Sequence, residues 1–172
     1  MREAIFSRLD SVMELRGARV MDLFAGTGAL GLEALSRGAG ELWLVEKNPQ
    51  AATVISHNLE VVSPALSHQP ATHLIRSNVS TFLSSVPTTQ ADVVFLDPPY
   101  EFSSATLASV LTSLAPWLAE GALVVVERSV KTGEPEWPIG MQPLEPKTYG
   151  DTLVSMARFE KGSQPPVDGS SF

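Results

Sequence analysis

The chain has 172 residues, of which 44% are hydrophobic and 18% are charged, a balance typical of one globular domain rather than a disordered segment. It has no cysteine, which excludes disulfides and thiolate chemistry, and its three histidines lack the spacing of a zinc site. No apolar run approaches the roughly 18 residues of a membrane helix. The net charge is −7, and the sequence has no basic stripe of the kind that binds nucleic acid.

Helical and extended segments alternate along the first third of the chain. Apolar residues at helical spacing predict the first helix, and Asn48 followed by Pro49 predicts the start of a later one. In chain order, the prediction is a helix over 3–15, a strand over 19–23, a helix over 29–37, a strand over 41–46 and a helix over 49–62.

The alternation continues to about residue 127 and then gives way to extended segments. The expected elements are a strand over 73–76, a helix over 79–85, a strand over 91–97, a helix over 104–118, a strand over 122–127, and a hairpin of 141–145 with 152–159. This order predicts an α/β fold with a mostly parallel sheet and an antiparallel C-terminal hairpin. We assign 1–160 to one domain and expect a disordered, polar tail over 161–172.

A glycine-rich loop follows the first strand and opens the next helix. Gly26, Gly28 and Gly31 have the spacing G-x-G-x-x-G, which lets a ligand approach the backbone beyond the carboxyl end of a strand. Glu46 ends the second strand, where a carboxylate can accept hydrogen bonds from ribose hydroxyls. The loop and Glu46 together predict a cofactor that contains adenosine.

Asp22, at the end of the first strand, favours one such cofactor over another. A carboxylate repels the pyrophosphate of a dinucleotide and attracts an ammonium group. S-adenosylmethionine carries an ammonium group and a sulfonium and no phosphate, so Asp22 favours it over NAD. The alternatives are that Asp22 caps the following helix and that Glu46 is a solvated strand end.

The motif Asp97-Pro98-Pro99-Tyr100 follows the most apolar strand at the same edge of the sheet. An exocyclic amino group on a base is a poor nucleophile, because its lone pair is delocalised into the ring. The Asp97 carboxylate and the Pro98 carbonyl can accept its two N–H groups, in a turn that the prolines make rigid. Tyr100 is then expected to stack on the base. A plain strand-ending turn is the alternative interpretation.

The absence of cysteine also bears on the target. Methylation of a pyrimidine ring carbon generally needs a covalent thiolate adduct, whereas an amino nitrogen accepts a methyl group directly from a sulfonium. Three other classes stay open. DNA adenine-N6 enzymes share the Asp97 motif but normally need a further domain, protein glutamine-N5 enzymes more often carry Asn at that position, and an NAD-binding oxidoreductase is disfavoured by Asp22.

The segments 2–6, 22–39, 97–100 and 149–152 resemble the bacterial 16S ribosomal RNA guanine-N2 methyltransferase D (RsmD) family. This resemblance implies the class I S-adenosylmethionine-dependent, Rossmann-like fold with seven strands. It also implies methylation of the exocyclic N2 of guanine 966. The cofactor residues implied are Asp22, Phe24, Gly26, Gly28, Glu46, Asn78 and Asp97. The catalytic residues implied are Asp97, Pro98, Pro99 and Tyr100.

Two features depart from that family. Its members carry a basic N-terminal hairpin ahead of segment 2–6, and we expect this RNA-binding segment to be absent here. Where the family often has an acid that contacts the adenine, this chain has Ser77-Asn78, and the Asn78 side-chain oxygen is the expected substitute. We expect a cytoplasmic monomer that acts on 16S ribosomal RNA or a small-subunit assembly particle, without a metal and without a membrane.

Overall fold

The computed structural model describes residues 1–162 and contains one sheet with helices on both faces. The helices are α1 (Arg2–Val12), α2 (Ala29–Ser36), α3 (Pro49–Val62), α4 (Val79–Leu83) and α5 (Ser104–Leu114), with short 3-10 turns at Ser63–Ala65 and Ala115–Trp117. The strands are β1 (Arg19–Asp22), β2 (Glu41–Val45), β3 (Ala71–Ile75), β4 (Ala91–Leu96), β5 (Leu118–Ser129), β6 (Met141–Pro143), β7 (Lys147–Tyr149) and β8 (Thr152–Phe159).

The strand order is β3-β2-β1-β4-β5-β8-β6, and β7 also pairs with β8. Strands β1 to β5 run parallel, whereas β8 runs antiparallel to β5. Because β5 occupies one edge of β8, β6 and β7 share the other edge and pair with its two ends. The described sheet therefore has seven positions, the outermost in two pieces. This confirms the predicted mostly parallel sheet with an antiparallel C-terminal hairpin.

Each face of the sheet buries its own apolar cluster. Strand residues alternate between the faces, so Val94 and Leu96 of β4 join the cluster of α4 and α5. Phe95 joins the opposite cluster, where its ring centroid lies 5.6 Å from that of Phe6 in α1. Burial on both faces explains why β4 is a nearly continuous apolar run in the sequence.

Side-chain caps fix where α3 and α5 begin. Asn48 Oδ1 accepts hydrogen bonds from the backbone N–H groups of Gln50 and Ala51, at 2.9 and 3.1 Å, in front of α3. Ser103 Oγ accepts one from the N–H of Thr106 at 3.1 Å, in front of α5. These bonds satisfy N–H groups that have no partner inside the helix. The predicted start of the helix at residue 49 agrees with α3.

The end of α5 differs from its prediction. The sequence predicts a helix over 104–118, but α5 ends at Leu114 and a 3-10 turn follows. Pro116 has no N–H with which to continue the helix. Trp117 is 1% exposed, and its Nε1–H donates to the Leu83 carbonyl at 3.2 Å. Burial of this side chain therefore sets the point at which the chain turns into β5.

After β8 the described chain ends in a turn. The backbone N–H of Lys161 donates to Glu120 Oε2 at 2.8 Å, which ties this turn to β5. The predicted tail over 161–172 lies outside the described residues from 163 onward, and the domain boundary at 160 stays a prediction. Across residues 1–162, no helix is long and apolar enough to cross a membrane.

Candidate functional site

Two cavities open at the carboxyl ends of the parallel strands. The glycine-loop cavity has a volume of about 500 Å³ and is lined by Leu23, Phe24, Gly26, Val45, Glu46, Lys47, Ser77, Asn78, Val79, Ser80, Asp97, Pro99 and Phe102. The hairpin cavity has a volume of about 650 Å³ and is lined by Met1, Asp97, Pro98, Pro99, Tyr100, Glu127, Arg128, Ser129, Val130, Lys131, Thr132, Asp151 and Thr152. Because Asp97 and Pro99 line both, the turn after β4 forms a wall between the two cavities.

The loop between β1 and α2 contains two glycines in the left-handed region. The φ angle is 58° at Gly26 and 83° at Gly28, values that glycine adopts without strain. Gly31 lies inside α2, where a Cβ would come within 2.9 Å of a Leu42 methyl carbon. Gly26 lines the glycine-loop cavity, whereas Gly28 shapes the turn and Gly31 lets α2 pack closely on β2.

Glu46 connects the glycine loop to the start of α3. Its Oε1 accepts a hydrogen bond from the Gly26 N–H at 3.1 Å, and its Oε2 accepts one from the Asn48 N–H at 3.1 Å. The side chain also lines the glycine-loop cavity. Each carboxylate oxygen has a second lone pair, so Glu46 holds the loop and can still accept a hydrogen bond from a ligand.

Asp22 lies beneath the glycine loop rather than in the cavity wall. It is 2% exposed, and its Oδ2 accepts a hydrogen bond from the Gly31 N–H at 3.3 Å. Burial raises the pKa of Asp22 to about 7; the bond from Gly31 opposes this rise, and the charges of Asp97, Glu127 and Glu46 add to it. The structure thus contains the capping contact, and the ammonium contact stays a prediction.

The turn after β4 is held by one backbone hydrogen bond and one from a side chain. The Phe102 N–H donates to the Pro99 carbonyl at 2.9 Å, and Arg128 Nη2 donates to the Phe102 carbonyl at 2.7 Å. Among the described residues, none donates a hydrogen bond to the Pro98 carbonyl. This carbonyl and the adjacent Asp97 carboxylate are therefore both available as acceptors for a ligand.

Asp97 and Tyr100 stand at opposite ends of the motif and in different surroundings. The protein around Asp97 raises the pKa of its carboxyl through desolvation, although the residue reaches both cavities. Tyr100 borders the hairpin cavity with a side chain that is 90% exposed. The motif therefore presents a desolvated acceptor beside an open aromatic ring.

Phe24 and Asn78 both line the glycine-loop cavity, as the resemblance implies. Phe24 packs edge-on against Phe102, with 5.3 Å between the ring centroids. Asn78 caps α4, because its Oδ1 accepts a hydrogen bond from the Thr81 N–H at 2.8 Å. The oxygen expected to contact an adenine is therefore already engaged, which leaves its second lone pair and the amide N–H groups for a ligand.

Glu127 is a site residue that the sequence motifs do not reveal. It ends the buried part of β5, is 8% exposed and lines the hairpin cavity. Burial raises the pKa of Glu127 to about 7; the charge of Asp97 adds to the rise, and the amino terminus opposes it. Phe95 pairs with Val125 in the sheet, so Asp97 and Glu127, each two residues further on, lie side by side on one face. The strand predicted over 122–127 ends in this acid, and that position is the signal that could have identified it.

Three acids thus gather on one face at the carboxyl end of the sheet: Asp22, Asp97 and Glu127. Asp22 pairs with Phe95 in the register of β1 with β4, which places it on that face as well. The ion pairs of residues 1–162 involve other acids. Nor does any group of three or more His, Asp or Glu in that part of the chain have a metal-binding arrangement. The negative charge of this site suits a cationic ligand.

Known proteins are similar to this chain over nearly its whole length. A family model described as Conserved hypothetical protein 95 matches residues 1–158. Ribosomal RNA small subunit methyltransferase D of Escherichia coli strain K12 is 30% identical over 167 residues, which cover 97% of this chain and 80% of that protein. The chain belongs to the methyltransferase D family.

Solved structures agree with membership of the methyltransferase D family. The structure of yhhF from Escherichia coli matches with a TM-score of 0.80 and 32% identity, over 92% of this chain and 84% of that one. A conserved hypothetical protein of Streptococcus pyogenes matches with a TM-score of 0.80 and 30% identity, over 96% and 98% of the two chains. The predicted methyltransferase fold is confirmed.

Proposed function

We propose that this protein methylates the exocyclic N2 of a guanine in 16S ribosomal RNA, with S-adenosylmethionine as the methyl donor. The observation that carries the proposal is the shared wall, because ligands in the two cavities meet at Asp97 and Pro99. Relatives named as ribosomal RNA small subunit methyltransferases support the reaction class. The resemblance adds guanine 966 as the nucleotide and the small subunit or its assembly particle, in the cytoplasm, as the partner.

The glycine-loop cavity fits S-adenosylmethionine in size and chemistry. Its volume lies within the range of small-molecule sites, roughly 300–1,000 Å³. Val45 and Phe102 offer apolar surface to an adenine, Glu46 offers acceptors to ribose hydroxyls, and the charge of Asp22 beneath the loop favours an ammonium group. When bound, the cofactor supplies a methyl group on a sulfonium sulfur, which keeps the electron pair of the broken sulfur–carbon bond.

The turn after β4 positions the amino group of the base. The Asp97 carboxylate accepts one N2–H and the Pro98 carbonyl accepts the other, which directs the nitrogen lone pair away from the ring and toward the glycine-loop cavity. The nitrogen gains the methyl group and gives up one proton. The Asp97 carboxylate accepts this proton, since desolvation raises its pKa and makes it a stronger base than an exposed aspartate.

The hairpin cavity receives the base and the adjoining RNA backbone. The exposed ring of Tyr100 stacks on the base, a contact worth about 1–3 kcal/mol. Arg128 and Lys131 line the same cavity and supply positive charge for phosphates, although the chain as a whole carries a net charge of −7.

The test uses small ribosomal subunits from an Escherichia coli strain that lacks its own methyltransferase D, with subunits from the parent strain as the matched control. We expect the purified protein and S-adenosylmethionine to convert one guanine to N2-methylguanosine in the first preparation, mapped by mass spectrometry, and none in the second. Calorimetry is expected to show binding of S-adenosylhomocysteine and no binding of NAD. Methylation at another atom, or binding of NAD alone, would refute the proposal.

A further inference from the structure

Glu127 is a buried acid that the mechanism above does not use. It is 8% exposed, yet it lines the hairpin cavity. Among residues 1–162, none donates a hydrogen bond to its carboxylate. Although the residue is buried as a whole, its carboxylate oxygens are not among the buried polar atoms that lack a partner, so they open into the hairpin cavity. There they are available to a ligand that supplies an N–H or O–H group.

The position of Glu127 relative to Asp97 is set by the sheet. Leu96 of β4 pairs with Val126 of β5, and the next residues along the two strands are Asp97 and Glu127. Asp97 lies directly after β4 and level with Glu127, and its charge contributes to the raised pKa of Glu127, so the two carboxyl groups are close together. Two carboxylates side by side can therefore accept from two adjacent donors on one edge of a planar ring.

We propose that Glu127 selects guanine by accepting the N1–H of the target base. This inference rests on the proposed function, in which Asp97 and Pro98 hold the N2 amino group. In guanine, N1 lies beside the amino-bearing C2 and carries a hydrogen, whereas N1 of adenine and N3 of cytosine lie beside the amino-bearing carbons of those bases and are bare acceptors. An ionised carboxylate only accepts, so Glu127 pairs with guanine and repels the lone pair of the other two bases.

The electrostatics of the site agree with this role. Burial and the charge of Asp97 raise the pKa of Glu127 to about 7, against the opposing charge of the amino terminus, so the free protein holds this acid partly protonated near neutral pH. The N1–H of a guanine would stabilise the ionised form that accepts it. Asp97 has the Pro98 carbonyl beside it as a second acceptor for the amino group. The three acceptors together match the three N–H groups of guanine on that edge.

The test replaces the mapped guanine with 2-aminopurine in a synthetic 16S ribosomal RNA that is reconstituted into small subunits. 2-Aminopurine keeps the 2-amino group and has a bare N1. We expect the unsubstituted enzyme to prefer guanine by about 100-fold or more in kcat/KM, because an unpaired buried polar group is strongly rejected. Glu127→Gln is expected to lower kcat/KM on guanine about 10-fold, because the amide oxygen still accepts the N1–H but without a charge. It is expected to raise kcat/KM on 2-aminopurine several-fold, because the amide nitrogen can donate to the bare N1. Glu120→Gln, at the exposed start of β5, is the control.

Each outcome bears on a different statement. Equal losses on the two substrates would make Glu127 a structural residue and overturn the inference, with the affinity for S-adenosylhomocysteine reporting whether the variant is folded. The unsubstituted enzyme also tests the inference by itself, because methylation of guanine and 2-aminopurine at equal rates would overturn it while leaving the proposed function intact. Failure to methylate either base would overturn both.

Discussion

The two ends of the sheet differ in whether their acidic residues have an oppositely charged partner. At the amino end, Arg19 of β1 pairs with Asp92 of β4 at 3.4 Å, in a half-exposed ion pair of the kind worth about 0–1 kcal/mol. At the carboxyl end, Asp22, Asp97 and Glu127 lie together, and burial raises the pKa of each. The charges of this pair are neutralised within the protein. The acids at the carboxyl end reduce stability at neutral pH and stand where ligands are proposed to bind.

The largest effect is expected from Asp97→Ala, which removes an acceptor for the amino group in the transition state. Turnover should fall on the order of 10³-fold, while the affinity for S-adenosylhomocysteine should change by less than about threefold. Single-turnover methylation assays and calorimetry measure the two quantities. Transfer at the unsubstituted rate would show that this turn is structural, and the contrast between the two ends of the sheet would lose its functional meaning.

Asp22→Asn tests whether the buried acids cost stability. The folded-state pKa of Asp22 is about 7, above its ordinary value of 3.8, so the folded protein binds the proton more tightly and loses stability as pH rises through this window. The loss amounts to roughly 3 kcal/mol between about pH 5 and about pH 8. The amide oxygen of Asn still accepts from the Gly31 N–H without a charge.

Urea unfolding at the two pH values measures this effect. We expect the variant to be more stable than the unsubstituted protein at the higher pH and to bind S-adenosylhomocysteine more weakly. Part of the pH dependence should remain, because the pKa of Glu127 is raised to about 7 as well. A variant of equal or lower stability at the higher pH contradicts the assignment of a raised pKa to Asp22.

Glu46→Ala is expected to have a smaller effect, mainly on binding. The variant loses acceptors for the cofactor ribose and for the N–H groups of Gly26 and Asn48. A loss of about 1.5–3 kcal/mol in the binding free energy of S-adenosylhomocysteine is expected, measured by calorimetry. Glu33→Ala, which breaks an ion pair with Arg37 on α2, is the control and should leave binding unchanged. Equal binding by the two variants would remove Glu46 from the site.

The smallest effect is expected from Asp92→Asn at the amino end of the sheet. The amide oxygen can still accept from the Arg19 N–H, which the carboxylate contacts at 2.9 Å. Only the ion pair is lost, and the free energy of unfolding should change by about 0.2–1 kcal/mol. Methylation should be unchanged. A large loss of stability in urea unfolding would show that the free energy of unfolding also depends on one charge at the amino end. The two ends of the sheet would then no longer differ in this respect.

Local patterns allowed much of the fold to be predicted, because apolar periodicity, Asn48 at a helix start and the buried run of β4 act over a few residues. The end of α5 was harder to predict, because it depends on the hydrogen bond between Trp117 and Leu83, which is far away in the sequence. In the same way, the motifs identify the walls of the site but not its contacts. Glu127 is a neighbour of Asp97 only through the register of β4 with β5.

Asp22 and Gly28 show why motif membership and cavity lining are different properties. Both belong to the predicted cofactor residues, yet Asp22 lies beneath the loop and Gly28 forms its turn. Each shapes the backbone that carries Gly26 into the cavity wall. Sequence spacing indicates that such a loop forms, but which of its atoms face a ligand depends on three-dimensional packing. Direct contact of either residue with a cofactor stays a prediction.

The outer edge of the sheet is divided between β6 and β7, and this division affects whether two copies of the protein can pair through their edge strands. Pro143 ends β6, Pro146 lies in the gap and Lys147 begins β7. Proline cannot donate a hydrogen bond to an incoming strand, and a lysine charge at the edge opposes the approach of an identical edge. Each piece is only three residues long, too short to template the addition of another chain. The interruption between β6 and β7 therefore disfavours edge-to-edge aggregation at this side of the sheet.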